Sequence, residues 1–262
     1  MNKIRTIIDK EWAEVFKNKL VFFSVVFMPL LFVVLPVATL WGMNALGEDA
    51  GNLSSGGGDF FGDFCQGMNE FDCGQAYMLS LYALLFMILP LMIPVTIAAY
   101  SIVGEKTTRS LEPLLATPIT TKELLTGKAL AAVIPAIVAT WLAFALFLVS
   151  SWLMVSPEVF RLGIQPYWLT AVIFVGPLLA LFAVAIAMMI SSRVTDPRTA
   201  EQLAGFVVLP IILILVGQSL GLFLINGELV LVLAAVLIVL DVILLILTVK
   251  IFQRETIITR WK

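Results

Sequence analysis

Six long apolar runs dominate the chain, at residues 20–41, 76–103, 129–155, 167–190, 206–225 and 229–251. Each is near the roughly 20 residues an α-helix needs to cross a bilayer, so the pattern predicts six crossing helices. Five of the six contain proline: Pro29 and Pro36, Pro90 and Pro94, Pro135, Pro177, and Pro210. Proline is tolerated in membrane helices and marks bends more than chemistry. Ahead of the first run, residues 1–19 place Ile4, Ile8, Trp12, Val15 and Phe16 at helical spacing, interleaved with Lys3, Arg5, Lys10, Lys17 and Lys19. That periodicity predicts an amphipathic helix lying in the membrane interface, with Trp12 near the headgroups. A solvated basic N-terminus is the plainer alternative.

Between the second and third runs stands a polar island, residues 104–128, GEKTTRSLEPLLATPITTKELLTGK. Ser110 can cap a short helix that opens Leu111-Glu112-Pro113, because proline fits a first turn whose N–H has no intrahelical partner. Thr117-Pro118 disfavours its continuation. Thr120 and Glu123 have the spacing of a capping box, which predicts the start of a second helix that enters the membrane. Leu111, Leu114 and Leu115 would leave apolar area wet unless a partner, the bilayer or the chain's own inner ends cover them. The island therefore reads as a docking element.

Charge orients the runs. Fifteen of the sixteen Lys and Arg residues fall in 1–19, 104–128, 191–205 and 250–262, and only Arg161 falls on the other side. Under the positive-inside rule this places both termini in the cytoplasm and predicts six crossings of the cell membrane. The long outer loop, residues 42–75, has no Lys or Arg but six acids, a Gly/Ser-rich middle, and the chain's two cysteines, Cys65 and Cys73. Outside the cytoplasm a disulfide between them is plausible, with two free thiols as the alternative. In the second inner loop, Asp196 followed by Pro197 reads as a helix start.

With 61% hydrophobic and 13% charged residues and a mean hydropathy of +1.05, the 262 residues are taken up by one α-helical membrane domain. The chain has no histidine, which removes the usual general base, the commonest metal ligand and every Ser-His or Cys-His pair. No GxSxG elbow, HExxH site or GxxxxGK[ST] phosphate loop is present, so no catalytic residue, metal site or cofactor is expected on this chain. Asp241 stands alone near the middle of the last run, where a charge is costly, so it should face protein or water and find a partner. It is either a proton, cation or substrate contact, or a carboxyl that locks helices together, with Gln218 as one possible partner.

The island resembles the cytoplasmic loop of type-2 ABC transporter permeases, the membrane subunits of exporters, and is similar to that of sodium-efflux and multidrug members. The resemblance rests on Gly104-Glu105-Lys106, Arg109-Ser110-Leu111-Glu112, Leu114-Leu115, Thr117-Pro118-Ile119 and Gly127-Lys128. It implies an all-α fold of six transmembrane helices preceded by an interfacial helix, with a cytoplasmic coupling helix at residues 109–118. It implies two such subunits, identical or paired with a relative, above two separate ABC ATPase subunits that hold ATP and Mg. Glu105, Arg109, Leu111, Glu112, Leu114, Leu115 and Pro118 would then dock on the ATPase, and transport would proceed by alternating access. Membrane lipids are the other expected partner, and no nucleic acid is expected. The competing reading is an ATP-independent secondary transporter or small channel that uses Asp241 as its ion site. A structural or interaction protein without flux is the third.

Overall fold

In hydrocarbon every backbone N–H and C=O must be satisfied within the protein, and this chain meets that requirement with helices. The computed structural model describes residues 3–15, 17, 19–47, 68–107 and 119–251, with no strand among them. Helix α1 is Lys3–Val15, and α2, the first crossing, is Lys19–Leu46. The second crossing runs through α3 (Glu70–Leu85), a 3₁₀ turn (Phe86–Ile88) and α4 (Leu89–Thr107). The third is α5 (Thr121–Met154), followed by the short helix α6 (Pro157–Gly163). The fourth consists of α7 (Pro166–Thr170), a π-turn (Ala171–Val175) and α8 (Gly176–Ser191). The fifth consists of α9 (Pro197–Gly205), a 3₁₀ turn (Phe206–Val208) and α10 (Leu209–Ser219), and the sixth is α11 (Gly227–Ile251). Six stretches are long and apolar enough to cross a bilayer, so the fold is that of an all-α multi-pass membrane protein.

Each irregular turn stands just ahead of a proline: Pro90, Pro177 and Pro210. A proline lacks the N–H, and its ring collides with the carbonyl four residues back. Those carbonyls belong to Phe86, Ile173 and Phe206, all inside the irregular turns. The π-turn also turns the Val172 carbonyl toward the third crossing, where Trp141 Nε1–H donates to it at 3.1 Å. Pro29, Pro36, Pro94 and Pro135 are carried inside regular helix.

Helix ends depart from the hydropathy pattern where local chemistry overrides it. The fifth crossing starts at Pro197 rather than at residue 206, because Asp196 accepts from Thr199 N–H at 2.8 Å and caps it. It ends at Ser219 rather than 225. Gly221, at φ +72°, closes it with Leu222 N–H to Gly217 O and Gly221 N–H to Gln218 O, both 3.0 Å, the paired bonds of a Schellman motif.

The second crossing is the centre of the bundle. Its most apolar stretch is 72% buried, against 17% for the sixth and 22% for the first, which leaves those two at the periphery. Helices α2, α5, α8 and α9 pack around α4, and α11 packs on α8. Phe86 sits at the heart, its ring centroid 5.0 Å from that of Phe147 and 5.6 Å from that of Phe144. At the end of the bundle away from the island, Gln75 Nε2 donates to Asn44 Oδ1 at 2.6 Å and Asn44 Nδ2 donates to Met154 O at 2.9 Å, tying three crossings together. Cys73, buried near the start of α3, is disulfide-bonded. Cys65, the chain's other cysteine, lies outside the described residues.

Candidate functional site: the roots of the polar island

The polar island begins inside α4 and ends inside α5, so its chemistry is set by how those two helices are held. The predicted capping box is present at the α5 root: Thr120 Oγ1 accepts from Glu123 N–H at 3.2 Å, and Glu123 Oε2 accepts from Thr120 N–H at 2.8 Å. Lys3 of α1 lies 3.6 Å from the same Glu123.

Helix α1 packs on protein. Its most buried residues are Ile7, Glu11 and Val15, one stripe at four-residue spacing, and they rest against α5 and α4. Part of the amphipathic face of α1 is thus turned to protein. Ile4, Ile8 and Trp12 are only half-buried, and the Trp12 indole N–H donates to Ala131 O at 2.9 Å rather than to headgroups. Gly127 explains how close the approach is: a Cβ there would lie 2.7 Å from Ile7 Cγ2 and 2.9 Å from Ile7 Cβ.

Three helices converge on the Lys128 ammonium. Glu11 Oε1 of α1 is at 2.7 Å, Glu105 Oε2 of α4 at 2.8 Å, and Ser101 Oγ of α4 at 2.9 Å. An ammonium has three donors, and three oxygens surround this one. Ser101 Oγ–H donates onward to Glu11 Oε2 at 2.5 Å, and Lys10 Nζ donates to Glu105 Oε1 at 2.6 Å. Glu11, Glu105 and Lys128 are 2%, 4% and 6% exposed, so two carboxylates and one ammonium are almost wholly out of water, with Lys10 as the second cation. Lys10 is pushed both ways. Burial works against its charge, but the Glu105 carboxylate outweighs it and holds its pKa above the usual 10.5. Lys128 donates hydrogen bonds to Glu11 and Ser101 and forms an ion pair with Glu105, and close pairing of this kind is what a buried ionic group needs to offset its desolvation.

The sequence-predicted residues are therefore placed unevenly. Glu105 is turned into the protein and committed to Lys10 and Lys128, so its carboxylate is not offered to an outside surface. Arg109, Leu111, Glu112, Leu114, Leu115 and Pro118 lie outside the described residues. Asp241 is 5% exposed, as its position demands, but neither carboxylate oxygen has a hydrogen-bond partner among the described residues. Gln218 is engaged elsewhere: its Nε2 donates to Ser80 Oγ at 3.1 Å, and its backbone carbonyl accepts from the Tyr77 hydroxyl. Gln218 belongs to the C-terminal end of α10, whereas Asp241 lies fourteen residues into α11, roughly 21 Å along the axis, so the two do not form a lock. Glu201, not singled out by the sequence, accepts from Thr96 Oγ1 at 2.6 Å and ties α9 to α4.

Glu11 and Lys128 are what sequence reading missed. Their signal was faint: an acid in the middle of the Ile7–Val15 stripe, and a lysine directly ahead of an apolar run. An apolar cleft is lined by Leu84, Met87, Trp168, Val175, Ile211 and Leu229 among others. No group of His, Cys, Asp and Glu that could hold a metal ion occurs among the described residues.

No curated protein matches the sequence. A family model does: that of the ABC-2 family transporter proteins matches residues 5–231, from within α1 through all of the first five crossings into the sixth. Six apolar crossings, a charged island on paired helix roots and a match over that length have one reading, and the chain belongs to the ABC-2 family of transporter proteins as a multi-pass permease.

Proposed function

We propose that the chain is the permease subunit of an ATP-driven exporter in the cytoplasmic membrane, one of two membrane subunits beneath which separate ABC ATPases dock. The observation that carries this reading is the family match, whose span of residues 5–231 includes the island and both of its roots. In this reading the chain acts as one membrane domain with both termini cytoplasmic, in keeping with its basic residues. ATP and Mg are held by the partner, since this sequence carries no phosphate loop. Residues 108–118 meet the ATPase, with Arg109, Glu112 and the leucines 111, 114 and 115 supplying ionic and apolar contacts. Glu105 has a different part: its buried carboxylate anchors the root from which that segment springs. Closure of the ATPases on ATP pushes the segment, and the crossings repack between inward- and outward-open states.

The test is to purify the full chain with the ATPase that accompanies it and to reverse the two charges outside the knot, Arg109→Glu with Glu112→Lys. The expected result is loss of ATPase association with normal membrane insertion. Unchanged association and unchanged ATP-dependent flux in the doubly reversed chain would refute the docking assignment. A second reading has one observation in its favour, the buried Asp241, whose carboxylate has no hydrogen-bond partner among the described residues, which suits an ion-coupled transporter. Flux that persists in ATP-depleted vesicles under an ion gradient, and ends with Asp241→Asn, would establish that reading in place of the first.

A further inference from the structure

We propose that Lys128, with Glu11 and Glu105, is a positioning group that makes α1 and both roots of the island move as one body. This rests on the reading that the island is the ATPase-facing element.

The argument is one of geometry and desolvation. One ammonium is shared among oxygens from two other helices: α1 through Glu11, and α4 through Glu105 and Ser101. Lys10 closes the ring from α1 back to Glu105 at 2.6 Å. If any one helix withdrew, a charged group would be left buried without its partner, which is far more costly than moving all three together. Two further contacts keep α1 from sliding along α5. Ile7 sits in the notch at Gly127, and the Trp12 indole donates to Ala131 O. The contacts at 7 and 127, 11 and 128, and 12 and 131 follow one another along both helices, so the attachment is a seam and the ion cluster is its middle.

The consequence concerns how a push is distributed. A force on residues 108–118 reaches the protein at the end of α4 and the start of α5. With the knot intact it also reaches α1, and through α1 the start of α2, which follows after only three residues. The first crossing, peripheral in the bundle, is thereby driven from the island by a route other than its packing on α5. A helix floating in the lipid interface would carry no such force.

The experiment uses the full chain in nanodiscs with its ATPase partner and two spin-label pairs at exposed positions. Glu14→Cys with Thr126→Cys reports the seam between α1 and α5, and Leu46→Cys with Leu222→Cys reports the outer ends of the first and fifth crossings. Lys128→Met removes the charge at similar length, and Lys128→Arg keeps it. Expected for Lys128→Met are a broadened, longer seam distance and an ATP-driven shift at the outer pair reduced about tenfold, while the complex still forms and still hydrolyses ATP. Lys128→Arg should restore both distances toward those of the unsubstituted chain. A purely structural role would lower the amount of complex and leave the shift per assembled complex unchanged. The proposal is overturned if Lys128→Met keeps the original seam distance, or if α1 detaches and the outer pair still responds fully to ATP. Should Lys128→Met fail to insert, Ser101→Ala, which removes only one oxygen from the ring, carries the same comparison at smaller amplitude. If the unsubstituted chain shows no ATP response, the permease reading fails, and the seam distance in Lys128→Met still decides whether the knot holds α1.

Discussion

Two glycines flank the island, and the structure assigns them opposite responses to the same substitution. Gly104 lies inside α4, and a Cβ built there meets nothing within 4 Å among the described residues. Gly104→Ala should therefore gain only the helix-propensity difference, about 0.8–1.0 kcal/mol. Gly127 lies inside α5, where a Cβ would stand 2.7, 2.9 and 3.3 Å from three carbons of Ile7. Carbon atoms rest at about 3.5–4.0 Å, so α1 must retreat by close to 1 Å. One of the crowded atoms is the Ile7 Cβ, which cannot rotate away, so the backbone of α1 has to move. Overpacking of this kind costs about 1–3 kcal/mol, which cancels or exceeds the same propensity gain. The retreat also stretches the contacts of Glu11 with Lys128 and Ser101, which now stand at 2.7 and 2.5 Å. Thermal unfolding in nanodiscs should show Gly104→Ala stabilised and Gly127→Ala unchanged or destabilised. Ile7→Ala alone opens a cavity worth about 2–5 kcal/mol, but in combination with Gly127→Ala it removes the contacts of Cγ2 and Cδ1 at 2.7 and 3.3 Å and so relieves most of the collision, leaving only the Cβ at 2.9 Å. The double variant should therefore be more stable than the sum of the two by about 1–3 kcal/mol. Equal stabilisation by both alanines, with no coupling to Ile7, would refute the seating of α1 on α5.

Three other outcomes follow from the same geometry. Thr120→Ala removes the acceptor for Glu123 N–H and should cost about 1 kcal/mol of helix stability, read as faster amide exchange over the first turn of α5. Because Lys10 has its pKa raised in the folded chain, its contribution to holding α1 is complete below the usual 10.5 and is lost as pH rises through the higher folded value. The label distance between residues 14 and 126 should accordingly be constant through neutral pH and lengthen only in strong alkali; lengthening in mild acid would contradict the assignment. Asp241→Leu replaces a buried carboxyl whose oxygens lack partners among the described residues, and should leave melting temperature equal or higher. A large drop would show that the carboxyl is held by a contact from beyond them.

The six crossings were legible because lipid makes hydrophobic run length nearly sufficient to specify a spanning helix. The caps at Thr120 and Asp196 were legible because a cap is written within four residues. Hydropathy failed where a helix continued into polar sequence: Arg198, Glu201 and Gln202 disguised α9 as a loop, although its cap announced it. The candidate site was the least legible part, for a physical reason. Charges are read by default as solvated, and Lys128 was counted among the basic residues that set orientation. Only tertiary packing brings Glu11, some ninety residues away from Ser101 and Glu105 in the chain, to the same ammonium. Neither residue type nor local spacing encodes that meeting, and Gly127 hinted at it only as a small residue where a second helix could come close.

The knot also bears on why the island can tolerate sitting between two crossings. A segment that takes load from outside must be movable, yet its roots must not fray, or the load would be spent on unwinding the ends of α4 and α5. The α5 root is fixed by the capping box, which satisfies the N–H groups of Thr120 and Glu123. The α4 root carries a cation, Lys106, in its last turn, where helix C-termini favour one, but beside it stands an acid, Glu105. That acid is an unfavourable companion for the negative end of the helix unless something neutralises it. Lys10 and Lys128 do so, at 2.6 and 2.8 Å, and in that position they bring positive charge to the end of α4 where its dipole calls for it. The same two lysines thus cap one root electrostatically and join it to the other, so the α4 root should fray first when either is neutralised, with amide exchange rising over residues 103–107 before it rises over 121–124.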